Sequence, residues 1–271
     1  MRSLPLLALV VLAPAVHADA QGIAVPVRCT GACPAAQALP RILLGDSVLV
    51  SADVKSDGST TYVNHRFHNP TGGEIDGAFF FPLPDDATVT GASVFDGTEL
   101  KQYGEWSTPG ESRRMLDSIV RASRGSPLRA YRGRNVVHVR IPSIPAHGSV
   151  SLKLGYTQPP HGEAGARGYD YPLLAGASEV PFTHFALTAQ VTTAHGFRSI
   201  SSPSHAVEVR AGTEMGRCPP AARCGYTGVP SRRVKVVTLT AGAEAAARDF
   251  RLEYTPLEQS GPAEPPIPGR S

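Results

Sequence analysis

Two histidines three residues apart, His65 and His68 in His-Arg-Phe-His, are the first residues here that could hold a metal ion. Imidazoles chelate together when they share a face, and three-residue spacing along a strand puts them on opposite faces. His65 shares its face with Val63 and Phe67, so it reads as an inner histidine, not a ligand. His138, His147, His161, His184, His195 and His205 are scattered, with no carboxylate at ligand spacing. Asp85 and Asp86 are adjacent and point to opposite sides of an extended chain, which disqualifies them as a paired acid and base. No Gly-x-Ser-x-Gly elbow and no glycine-rich phosphate loop follows a strand. No catalytic residue, metal or other cofactor is therefore expected, and the rival expectation is a hydrolase with an unrecognised site.

Asp57, Ser59 and Thr61 in Asp-Gly-Ser-Thr-Thr resemble the Asp-x-Ser-x-Ser metal loop of integrin-type A domains. They sit in a hairpin turn without the alternating β/α pattern of such a domain, so a plain turn is the expectation. Cysteine and arginine offer more. Cys29 and Cys33 frame Cys-Thr-Gly-Ala-Cys, and Cys218 and Cys224 frame Cys-Pro-Pro-Ala-Ala-Arg-Cys. In an oxidising compartment two disulfides are expected. Local pairing within each motif is the simplest arrangement; cross-pairing would tie the early segment to the later loop, and spacing alone does not choose. A four-cysteine zinc site would need the two-residue knuckles that are absent here.

Only Lys55, Lys101, Lys153 and Lys235 are lysines among the 26 basic residues, so the chain is strongly biased to arginine. Arg113, Arg114, Arg121, Arg124, Arg129, Arg132, Arg134 and Arg140 cluster in one stretch whose only acids are Glu111 and Asp117. Guanidinium forks match carboxylate and sulfate geometry, so Arg113, Arg114, Arg121 and Arg124 form a candidate patch for an acidic polysaccharide. The plainer reading is a solvated face.

These residues must be positioned by strands. Val48, Val50, Ala52 and Val54 alternate with Ser51, Asp53 and Lys55; after Ser-Asp-Gly-Ser, Val63 and Phe67 face the same way, which makes a hairpin. Val137, Val139 and Ile141 precede the turn Pro-Ser-Ile-Pro-Ala-His-Gly, and Val150, Leu152, Leu154 and Tyr156 follow it. Further alternating runs lie at 183–193, 205–211, 232–240 and 249–254. Many short runs at near-regular spacing predict a mostly β, sandwich-like fold. One amphipathic helix, about 109–124, interrupts them: Thr108 caps it, Pro109 opens it, and Glu111 completes a capping box. Met115, Ile119 and Ala122, with Leu116 and Val120 beside them, form its expected apolar stripe.

The 271 residues carry 27 Gly and 25 Pro and a formal net charge of +3, too small to call for a nucleic-acid partner. Residues 1–20, with an apolar core from Leu4 to about Ala15 and small residues at Ala18 and Ala20, read as a signal peptide. No later run approaches the roughly 20 apolar residues of a membrane span. The expectation is an exported chain, periplasmic or extracellular, with no transmembrane anchor. Residues 21–40 read as a Pro/Ala-rich lead-in, 41–255 as the β domain, and 256–271 as a Pro-rich tail.

Three consecutive phenylalanines, Phe79, Phe80 and Phe81, run into Pro82, Leu83 and Pro84. A strand end covered on both faces accommodates them, with Phe79 and Phe81 on one side and Phe80 beneath the helix. With Phe67-x-Asn69 before it, Asp-Gly-Thr-Glu-Leu at 96–100 and the helix after it, and Asp-Phe-Arg-Leu-Glu-Tyr at 249–254, this order of motifs resembles the VIT (vault protein inter-alpha-trypsin) domain. Residues 41–160 carry most of the likeness. The resemblance implies a β-sandwich-like module without catalytic residues, serving adhesion, matrix contact or assembly with a protein partner. A von Willebrand A domain usually follows in such proteins. None is recognisable here, so metal-dependent adhesion is not carried over, and an accessory subunit working with a separate A-domain chain is an alternative.

Overall fold

The computed structural model of the chain describes residues 22–34, 42–122, 126–163, 165–173, 184–215, 228–240 and 248–258. The alternation at Val48–Val54 builds β2 (Leu44–Lys55), which buries its valines and exposes Ser51 and Lys55. A tight turn leads to β3 (Gly58–His68). Gly58 has φ of 140°, and a Cβ there would lie 2.6 Å from the Gln158 carbonyl oxygen, so the turn requires glycine. β3 pairs with β8 (Ser149–Gln158), then come β5 (Thr88–Phe95) and the short edge strand β6 (Leu100–Tyr103). On the other side of β2 stand β10 (His184–Thr192), β13 (Gly228–Thr240) and β12 (Glu208–Met215). The eight-stranded sheet thus runs β12-β13-β10-β2-β3-β8-β5-β6, with β10 parallel to β2 and the other pairs antiparallel.

A second sheet, β1-β4-β7, comprises Ile23–Gly31, Gly73–Pro82 and Val136–Ile144. A third, β11-β14-β9, comprises Phe197–Ser201, Phe250–Pro256 and Arg167–Tyr171. The fold is mostly β, as the patterning predicts.

The phenylalanine run lies in β4, the middle strand of its sheet, and all three rings are fully buried. Phe79 and Phe81 face the large sheet: Phe79 lies 4.8 Å from the His65 ring and 5.6 Å from Phe67, and Phe81 lies 6.0 Å from Tyr156. Phe80 faces the other way and meets the His138 ring at 5.1 Å. The helix α1 (Pro109–Ala122) closes that side, since the His138 amide donates to Ser112 Oγ at 2.9 Å. Consecutive burial follows from two-sided cover.

Two expectations need correcting. Residues 23–31, inside the expected lead-in, form β1 and pair with β4. Pro26 hides this strand from a pattern reading, yet an edge strand with a register shift beside the proline accommodates the missing N–H. Secondly, α1 buries Ser112, Leu116 and Val120, with Ile119 half-buried, while Met115 and Ala122 are exposed. The polar Ser112 belongs to the inner stripe because His138 gives it a hydrogen-bond partner. The helix is assigned over Pro109–Ala122, and its expected end at about 124 lies outside the described residues.

Candidate functional site

The expected arginine patch is only partly assembled. Arg113, Arg114 and Arg121 are exposed on α1, and Arg124 lies outside the described residues. At 100° per residue Arg114 and Arg121 share the ridge pointing away from the sheet, whereas Arg113 sits on a flank. Both neighbouring acids are occupied: Glu111 takes the Thr108 amide at 2.9 Å and its hydroxyl at 2.8 Å, and Asp117 lies 3.8 Å from Arg132. These Thr108 bonds, together with the nearby Arg114, hold the Glu111 carboxyl below its usual range. The face is a solvated, basic helix surface, not a concave site.

The cysteines divide in the same way. Cys29 and Cys33 form a disulfide at the end of β1, whereas Cys218 and Cys224 lie outside the described residues. Among the described residues no group of three or more His, Cys, Asp or Glu is placed to hold a metal. His65 lies buried among Phe67, Phe79 and Phe81. Asp57, Ser59 and Thr60 line a small hairpin hollow, and the Thr61 hydroxyl meets the Tyr169 hydroxyl in the core at 3.0 Å. Burial pushes the Tyr156, Tyr169 and Tyr171 phenols up, so they remain neutral and supply no base.

The concave feature lies elsewhere, where the Phe-Pro-Leu-Pro exit meets the start of β14. A cleft of about 630 Å³ opens there, walled by residues 83–85, 133–135 and 248–251, with Asp170, Pro172, Pro203 and Ser204. Pro84 cannot extend the ladder, so the chain leaves the sheet and is stitched to the next loop instead. The Leu83 amide donates to the Asn135 carbonyl at 2.8 Å, and the Asn135 side-chain amide donates to the Pro84 carbonyl at 3.1 Å. Gly133, at φ of 79°, makes the turn that precedes Arg134.

Charges in the cleft fall into committed and uncommitted groups. Asp170 receives Arg251 Nε at 3.1 Å and faces His161 Nε2 at 3.2 Å. The Ser204 hydroxyl accepts the Arg251 amide at 2.7 Å and meets His205 Nδ1 at 2.8 Å and Ser202 Oγ at 3.2 Å, which fastens the 202–205 loop to β14. Arg134, half-buried, and Arg248, exposed, form no side-chain hydrogen bond or ion pair among the described residues. Among the described residues, two guanidinium groups without a side-chain partner line this concavity, and their planar forks suit recognition of an anion. Arg134 belongs to the arginine run evident in the sequence; Arg248 and Asp170 lie far from it and carry no local signal.

Residues 46–156 match the family model of the vault protein inter-alpha-trypsin domain. The chain carries a VIT domain. The VIT domain supplies two walls of the cleft, at 83–85 and 133–135, and residues after the match supply the others. No curated protein matches the sequence. Among solved structures, a nutrient-binding protein of Legionella pneumophila aligns at 12% identity and a TM-score of 0.44, over 88% of this chain and 72% of that one. An M1 zinc metallopeptidase of Deinococcus radiodurans aligns at 13% identity and a TM-score of 0.37, over 78% of this chain but only 42% of the peptidase. Among the described residues of the VIT chain, no helix is long and apolar enough to cross a membrane.

Proposed function

We propose that this VIT chain is an exported, non-catalytic binding module, working outside the cytoplasm through contact with a protein or an acidic polysaccharide. The observation that carries the reading is the cleft beside the Phe-Pro-Leu-Pro exit, where Arg134 and Arg248 have no side-chain partner among the described residues. Pockets that fix ligands combine an apolar wall with a few convergent polar groups, and this cleft has both. The neutral buried phenols, which supply no base, support binding over hydrolysis.

The test is a screen of envelope polymers and proximity cross-linking in native envelope, using the full chain. Two variants serve as comparators: Arg113/Arg114/Arg121→Ala on α1 and Arg134/Arg248→Gln in the cleft. A specific partner lost only in the cleft variant is expected. Loss only in the helix variant would move the site to α1. Failure to retain any partner, or turnover of generic ester or peptide substrates, would reject the reading.

A further inference from the structure

We infer that the cleft takes an extended peptide segment of a protein partner bearing isolated carboxylates, with Arg134 and Arg248 as its carboxylate-binding groups. The inference rests on the reading of the chain as a binding module and names the ligand class of the same site. Three features select a peptide. The cleft volume of about 630 Å³ falls in the range of sites for compact ligands, which suits a short segment and not a folded face. Its apolar wall is made by Leu83, Pro84, Pro172 and Pro203, rigid surfaces against which an extended chain can lie. Among the described residues, Phe250 is the cleft's aromatic, and being fully buried it offers no ring face on which a sugar could stack.

The charge pattern points the same way. Asp170 is held by Arg251 and lies beside His161, so it does not oppose an incoming anion at full strength. Asp85 and Asp249, both exposed, also line the cleft. A polyanion charged at every ring would meet Asp85 and Asp249 unfavourably as it followed the cleft, whereas a peptide can place a carboxylate at each arginine and neutral or basic residues at the two aspartates. Planar forks on Arg134 and Arg248 bind carboxylate in two parallel N–H···O bonds, which a lysine does not reproduce.

Fluorescence anisotropy with the full chain tests this. The probes are three short labelled Ser/Pro peptides of one length, carrying isolated Glu, Gln or Lys, together with a labelled uronate oligosaccharide. The Glu peptide is expected to bind at least about tenfold more tightly than the Gln peptide, with affinity falling as salt rises. Arg134→Gln and Arg248→Gln should each remove about tenfold of that affinity, while Arg113→Gln on α1 leaves it unchanged. If Arg134→Gln alters the near-UV circular dichroism, Arg248→Gln, at an exposed position, decides alone. Equal binding of the Glu and Gln peptides, or arginine variants that bind like the parent, overturns the inference. Tighter, Arg134-dependent binding of the uronate probe overturns the peptide assignment. If no peptide binds while the native-envelope partner is retained, the ligand class is wrong and the binding-module reading survives.

Discussion

His138 illustrates what a side chain's neighbours decide and its position in a pattern does not. Alternation with Val137 and Val139 turns it outward, yet it is buried, because the outer face of β7 is covered by Phe80 and α1. Its Nδ1 lies 2.9 Å from Ser107 Oγ, and burial lowers its pKa from the ordinary 6.5. A depressed folded-state value means that folding disfavours protonation. Stability is therefore complete above the unfolded pKa of about 6.5 and declines as pH falls through it toward the folded value. The urea midpoint is expected to drop between about pH 7 and pH 5, and His138→Gln should flatten that part of the profile. An unchanged slope in the variant would assign the acid sensitivity to other groups. Asn69 makes a second residue-scale case. Its amide donates to the carbonyls of Gly73, Ile144 and Pro145 at 2.8, 3.1 and 3.0 Å, and its oxygen accepts the Thr71 amide. Asn69→Ala should cost about 2–3 kcal/mol in urea unfolding, because buried carbonyls lose their donor. The Phe-x-Asn motif was legible in the sequence as a marker; its role as the staple of a turn was not, since two of the three carbonyls come from the end of β7, Ile144 and Pro145, about 75 residues away in the chain.

At the scale of elements, local chemistry was most legible where a local interaction suffices. The capping box of α1 forms as the Thr-Pro-Gly-Glu spacing predicts, with the Glu111 amide also reaching Thr108 Oγ1 at 3.4 Å. Thr108→Ala should lower stability by about 1 kcal/mol, measured as a shift in the urea midpoint at constant slope. The helix's buried face was misread by part of a turn because hydrophobicity alone ranks Met115 above Ser112, and only tertiary contact with His138 reverses that order. β1 was missed for a related reason, since Pro26 and the exposed Val27 interrupt its alternation at an edge. The disulfide that ends β1 leaves a further constraint on β4. A Cβ on Gly73 would lie 2.8 Å from both sulfurs and from the Thr30 carbonyl oxygen. Gly73→Ala should destabilise by about 1–3 kcal/mol in thermal or urea unfolding of the oxidised protein. Removal of the crowding by Cys29/Cys33→Ser should shrink that difference; an equal cost in both backgrounds would place the strain on the backbone oxygen.

Across the whole molecule, the class of fold was legible because two-residue alternation recurs in most of the long strands, whereas the pairing of distant strands leaves no local trace. The parallel contact of β10 with β2 joins residues more than a hundred positions apart, from His184 opposite Ser47 to Val191 opposite Val54. The cleft has the same character: residues 83–85 and 133–135 meet 248–251 only because the sheets bring them there. The VIT match at 46–156 covers β2 to β8 and α1, yet its sheet continues through β10, β13 and β12, and β4 is paired on its other side by β1. A fragment limited to 42–160 would present the open edge of β2 and one side of β4, two backbone rows that the full chain satisfies. Exposed edges of that length invite pairing with another molecule. It would also uncover Val48, Val50, Ala52 and Val54 where Phe185, Leu187, Ala189 and Val191 now lie alongside. The fragment is therefore expected to associate or to remain partly unfolded in size-exclusion chromatography and circular dichroism, and to lack the cleft and its ligand binding. A monomeric, cooperatively unfolding fragment would mean that the later strands are an addition to a self-sufficient domain. It would also separate the family's framework from the binding site that its neighbours complete.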